Sequence, residues 1–302
     1  MKKNTVILFL VAVLAAQSLL FAQDNPFISK KPEKSVEKRI QYPNFIQTFM
    51  KQISLLQHKI NQKITELSKQ IKEKKSPKSM LIILFVTFIY GMVHALGPGH
   101  GKTVTFSYFL SERAEVKKGI MVGTLIGFLH AGSALILVLI LYFIIQQSFL
   151  RPLEDLSRII KLISYALITA IGLSLLLKAT IALWRKEKNA GKSTYENPVT
   201  TKGIIPFAIA VGIIPCTGAT IVLLFSISMG ILGIGIISTL CMALGMATTI
   251  SLVGVSTILA KKGVTNFIIN RPKVNTILQT TLSIIGALLL TLLGILLFTS
   301  TL

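Results

Sequence analysis

MLIILFVTFIYGMVHALGPGHGK, residues 80–102, decides how the rest of the chain is read. Its first half is apolar enough to enter a bilayer. Its second half sets His94, Gly97, Pro98, Gly99, His100, Gly101 and Lys102 where such a helix would end. Lipid cannot satisfy the N–H and C=O groups that a Gly/Pro interruption frees, so protein or a water-lined cavity must do so. A broken helix is therefore expected to sit inside a helical membrane protein and to face something polar.

Composition agrees. Of 302 residues, 52% are apolar and only 14% charged, which fits a membrane protein better than a soluble one. The net charge of +21 comes from Lys and Arg lying between apolar runs, which points to membrane topology and away from nucleic acid. The last acidic residue is Glu196, so the final 302 − 196 = 106 residues hold no carboxylate. Cys216 and Cys241 sit in apolar stretches without a C-x-x-C, so neither a thiol zinc site nor a disulfide framework is indicated.

Working outward, residues 1–22 have a basic start, an apolar run from Val6 and Ala22 ahead of Gln23-Asp24, the pattern of a signal peptide. An uncleaved anchor is the alternative, and either places residues 23–78 outside the cytoplasm. In that segment Ile46, Phe49, Ile53, Leu56, Ile60, Ile64, Leu67 and Ile71 recur in steps of three and four, which predicts one long amphipathic helix. Its stripe suits a coiled coil, a lipid surface or the chain's own membrane domain, and the last is expected. His58 falls off the stripe and reads as solvated.

Residues 79–302 hold six runs near 79–97, 119–145, 159–183, 203–227, 230–260 and 276–299, each long enough to cross a bilayer. Lys and Arg in the successive connections and the C-terminus number four, two, five, none, four and none. The alternation puts odd connections in the cytoplasm and both termini outside, as expected for a multi-pass protein of the bacterial cytoplasmic (inner) membrane. In this count Lys102 is a charge at the cytoplasmic edge, Lys261 belongs to the fifth connection, and Lys178 snorkels to the same surface.

A second break, IPCTGATI at 214–221, echoes GPGHGKTV at 97–104. Aligned on Pro98 and Pro215, both have Gly three residues on (Gly101, Gly218), then Thr, then a β-branched residue. One break lies in a span running inward and the other in a span running outward. Two inverted three-helix repeats follow, with a binding site expected at the paired breaks.

Ionisable side chains in the spans are few. His94 lies about 21 Å into span one and His130 about 16 Å into span two from the opposite side, at 1.5 Å per residue. Those depths nearly coincide, and His100 could fold back toward both. With the Cys216 thiol, the three imidazoles make a site for a borderline divalent ion, as substrate and without a resident cofactor. Magnesium or calcium would want carboxylates, which these spans lack. Neutral imidazole binds metal and imidazolium does not, so protons compete for such a site. The G-x-x-x-x-G-K spacing of a phosphate loop is absent, and no base and nucleophile pair suggests an enzyme.

YGMVHALGPGHGKTVTFSYFL (90–110) resembles the first membrane signature of the NicO family of nickel/cobalt transporters, with its H-A-x-G-P-G-H-G-K pattern. GFLHAG (127–132) resembles the family's second histidine segment, and AVGIIPCTGATIVLLFSISMGILGIG (210–235) its P-C-x-G-A segment. The likeness spans most of 45–300. It implies that His94, His100 and His130 handle Ni²⁺ or Co²⁺, often for export. RcnA-like efflux members tend to carry a histidine-rich cytoplasmic loop, whereas RKEKNAGKSTYENPVTTK (185–202) has no histidine. The rival readings are a thiol-disulfide electron carrier using Cys216 and Cys241, and a permease docking an ATPase on its basic loops. Oligomeric state, a homo-oligomer included, stays open.

Overall fold

The computed structural model describes residues 44–74, 77–97, 100–145, 150–188, 199–267 and 272–302. The signal-peptide reading of 1–22 and the start of the 23–78 segment lie outside them, as do Pro98 and Gly99. Among the described residues the chain is all helical: α1 (Asn44–Lys74), α2 (Pro77–Leu96), α3 (His100–Ser111), α4 (Val116–Ile145), α5 (Leu150–Lys188), α6 (Thr201–Gly212), α7 (Thr217–Ser228), α8 (Leu232–Phe267) and α9 (Pro272–Thr299). Five are long and apolar enough to cross a membrane, and α6 with α7, bent by 57°, makes a sixth candidate. Large apolar side chains such as Leu81, Phe143 and Ile277 point outward, while hydroxyls such as Thr105, Ser107 and Ser164 are fully buried. That inversion is what a lipid solvent selects.

The apolar stripe of α1 finds its partner within the chain. Ile53, Ile64, Leu67 and Ile71 are buried, whereas Lys51, Lys59, Lys63 and Lys69 are exposed. Helix α1 runs antiparallel to α2: Ser79 Oγ donates to Gln70 Oε1 at 3.2 Å near the turn, and Gln57 Nε2 donates to the Val93 carbonyl at 3.5 Å near the far end. His58 is exposed and lies 3.1 Å from the Gln62 amide, on the solvated side.

Helices α4 and α8 pack closely through small residues, as membrane helices do where backbones must approach. A Cβ on Gly123 would overlap the Ser251 backbone, and one on Gly91 or Gly245 would overlap the facing backbone at the α2–α8 crossing. Gly123→Val is therefore expected to lower the melting temperature of the purified protein, since overpacking costs about 1–3 kcal/mol. Unchanged melting would mean that the α4–α8 contact is looser than this.

Two details differ from the sequence reading. The first span does not give way to a cytoplasmic connection at 97, because residues 100–111 form α3 and enter the core, where Val104, Thr105, Ser107, Tyr108 and Phe109 are almost wholly buried. Tyr108 stacks on Phe207 of α6 with centroids 3.9 Å apart. Past Lys102 this stretch has no charge before Glu112, so nothing keeps it in water. Lys261, read as a connection charge, belongs to α8 and is buried. Its ammonium donates to the carbonyls of Leu110 (2.6 Å), Glu112 (3.0 Å) and Ser111 (3.4 Å), and Ser283 Oγ adds a bond to Ser111 O at 2.7 Å. The carbonyls that the end of α3 leaves without intrahelical partners are capped by α8 and α9. Lys178 reaches the same end, 3.6 Å from the Glu112 carboxylate, as expected of a snorkelling side chain.

Candidate metal centre

Both Gly/Pro clusters break the helices that contain them. Helix α2 ends at Leu96, and the Gly97 N–H turns back to Val93 O (3.0 Å) and His94 O (3.2 Å). Lys102, in the first turn of α3, donates Nζ to the Leu96 carbonyl at 2.5 Å. It clasps the break, a role its reading as a charge at a span end did not include. A carbonyl left open at a helix end attracts an ammonium with this reach. Pro215, which lacks an N–H, stands at the second break between α6 and α7.

Cys216 caps α7. Its backbone is extended (φ −76°, ψ 119°), its sulfur accepts from the Ala219 N–H at 3.5 Å, and its carbonyl accepts from Thr220 N and Oγ1, both at 2.9 Å. Four N–H groups open at a helix start, and a sulfur among them sits where negative charge is favoured. Gly218, two residues on in the same turn, is closely packed: a Cβ there would come within 2.8 Å of Met242 Cε and 3.0 Å of the Tyr90 ring.

The two breaks and α4 converge. His94 Nε2 from α2 lies 3.4 Å from Cys216 Sγ. One ligand atom each from His94, His130 and Cys216 fall within 4.8 Å of one another, with Cys216 buried and both histidines half-buried. Ser133 Oγ bonds the His130 carbonyl at 3.0 Å, one turn along α4. Two imidazoles and a thiol at this separation can close on one borderline ion, since Zn–N and Zn–S bonds of about 2.0–2.3 Å place ligand atoms on one centre at such mutual distances. His100 opens α3 beside the first break, but its side chain lies outside the described residues. Gly101 belongs to the same turn, and a Cβ on it would stand 4.0 Å from Ile250 Cδ1. Cys241 is free and only partly buried, and it does not join the cluster.

Sequence spacing alone missed Tyr90. Its ring centroid is 6.0 Å from that of His94, and its hydroxyl is near Asn61 of α1. It sits one helical turn ahead of His94, the spacing that could have marked it.

Among the described residues an all-helical arrangement with several bilayer-length helices defines an integral membrane protein, with a largely enclosed His/His/Cys cluster near its helix breaks. The chain is similar to the NicO family, whose model, described as a high-affinity nickel-transport protein, matches residues 80–201. That stretch contains His94, His100 and His130, and Cys216 lies beyond it. A protein of Methanocaldococcus jannaschii named "Putative nickel/cobalt efflux system MJ1092" is 29% identical over 192 residues, which cover 63% of this chain and 83% of that one. A Haemophilus influenzae protein named "Putative nickel/cobalt efflux system" is 27% identical over 244 residues, 67% of this chain and 73% of that one. No solved structure matches.

Proposed function

We propose that the protein carries Ni²⁺ and/or Co²⁺ out of the cell across the bacterial cytoplasmic membrane, through the centre formed by His94, His130 and Cys216, with His100 as a further metal-handling residue. The observation that carries this reading is the meeting of those three ligand atoms, within 4.8 Å, at two helix breaks far apart in sequence. Helices α6 and α7 have 12 residues each, so Cys216 lies about 18 Å from either end of the bent pair at 1.5 Å per residue. In a hydrocarbon core about 30 Å thick that is near the middle, where alternating access needs its site.

Two inverted repeats fit this arrangement. The first is α2, break, α3, α4 and α5. The second is α6, break, α7, α8 and α9, with α4 packed along α8 and α5 along α9. In this reading residues 1–22 are the export signal, 23–78 lie outside the cytoplasm, and the basic ends of α3, α5 and α8 face the cytoplasm. The ion is substrate, and its ligands are soft enough for a borderline metal and contain no carboxylate to attract magnesium or calcium.

The reading is tested in cells lacking their own nickel and cobalt exporters, with and without the protein. Expression is expected to raise tolerance of Ni²⁺ or Co²⁺ and to lower cellular metal content, measured by mass spectrometry. A higher content of either metal would reverse the direction, and no change in any of nickel, cobalt, zinc and iron would remove the function.

A further inference from the structure

We propose that Gln57 and Asn61 of α1 are positioning residues for the His94–His130–Cys216 centre, so that the amphipathic helix ahead of the spans is part of the ion-handling machinery. The inference rests on the reading of that centre as the transport site. It starts from an anomaly in the stripe. Ile53, Ile60, Ile64, Leu67 and Ile71 would suffice to fasten α1 to α2, yet two amides, one helical turn apart, interrupt the covered face. A polar group taken from water costs free energy unless it finds a partner, so each amide should have one.

Both partners belong to the centre. Gln57 Nε2 donates to Val93 O, one of the last carbonyls of α2, next to His94, and its amide fills the space beside Gly97, where a Cβ would stand 2.8 Å from Nε2. Asn61 faces Tyr90, which is 4% exposed, near enough to act on its hydroxyl. Tyr90 then touches both sides of the centre. Its ring is 6.0 Å from that of His94, and its Cε1 and hydroxyl would lie 3.0 and 3.2 Å from a Cβ on Gly218, in the turn that carries Cys216.

One turn of α1 therefore reaches the first break directly and the second through Tyr90. Neither amide is a ligand. Their role is to hold the last turn of α2 at the angle where His94 Nε2 meets Cys216 Sγ. Groups that only orient metal ligands commonly govern affinity by about 10–100-fold.

The test uses full-length protein in proteoliposomes with Co²⁺ as the probe, comparing wild type with Gln57→Leu, Asn61→Leu and the double variant. Leucine continues the stripe, so α1 should stay docked. The double variant is expected to raise the KM for Co²⁺ by about 10-fold or more, with a smaller change in maximal rate, and to shift the visible spectrum of bound Co²⁺. Tyr90→Phe removes only the hydroxyl available to Asn61 and should shift KM and spectrum in the same direction by less. Wild-type KM and spectrum in the double variant and in Tyr90→Phe, beside a His94→Ala protein that no longer transports, would overturn the positioning role while leaving the centre intact. Transport by His94→Ala at the wild-type rate would instead remove the centre, and this inference with it.

Discussion

His94→Ala is expected to reduce Co²⁺ and Ni²⁺ transport more than about 100-fold, beyond what the loss of an outer-shell partner costs, while the protein still inserts and folds. The reason is ligand count. His94 Nε2 sits 3.4 Å from Cys216 Sγ, and its removal leaves one imidazole and one thiol for an ion that must give up most of its water to enter. Two donors are too few for the tetrahedral set that borderline ions adopt in proteins. The side chain is half-buried and lies outside the tightest helix crossings, so α2 keeps its packing on α8 through Gly91 and Gly245. His130→Ala should match it, because the two imidazoles come from different helices and neither can replace the other. The measurement is initial rate in vesicles at a matched amount of inserted protein. Wild-type rates in both variants would dismiss the assignment.

How much of this was legible before the fold differs from one element to the next. The helix over 44–74 and the long apolar spans were readable because periodicity and length are local signals. The two breaks were readable as well, since Pro and Gly act on their own backbone. Matching depths and paired breaks were enough to name His94, His130 and Cys216 as one site, but not to supply the contacts that join them. Cys216 and His94 are 122 positions apart, and only the packing of α7 against α2 and α8 brings sulfur to imidazole. The clasp made by Lys102 was hidden for a related reason: a basic residue at a span end reads only as a topology charge, and the open carbonyl at Leu96 within its reach shows only in the fold. The burial of α3 was hidden because twelve residues are too few to look like a span. Gln57 and Asn61 did leave a trace, as polar notches in an apolar stripe.

Cys216→Ser separates the structural part of the centre from its chemistry. Cysteine is an unusual helix cap, whereas serine is among the best, with an oxygen suited to accept from the N–H groups that Cys216 Sγ now faces at Ala219. The substitution should leave α7 as stable or slightly more so, and the volume change is small. What disappears is the sulfur. A thiolate is the metal-binding form of cysteine, and a helix start is where its negative charge is best tolerated. Serine offers no comparable anion, so the donor set falls from two nitrogens and a sulfur to two nitrogens and a weak neutral oxygen. Affinity for Co²⁺ is expected to fall by more than about 100-fold, again above the outer-shell range. The near-ultraviolet absorption that a thiolate gives when bound to cobalt should vanish, while thermal stability holds. A Cys216→Ser protein with unchanged cobalt affinity and spectrum would mean that the thiol only caps α7, leaving the centre to the histidines. Because serine keeps the cap, a loss of affinity without a loss of stability can come only from the sulfur, which makes this substitution a cleaner probe than alanine.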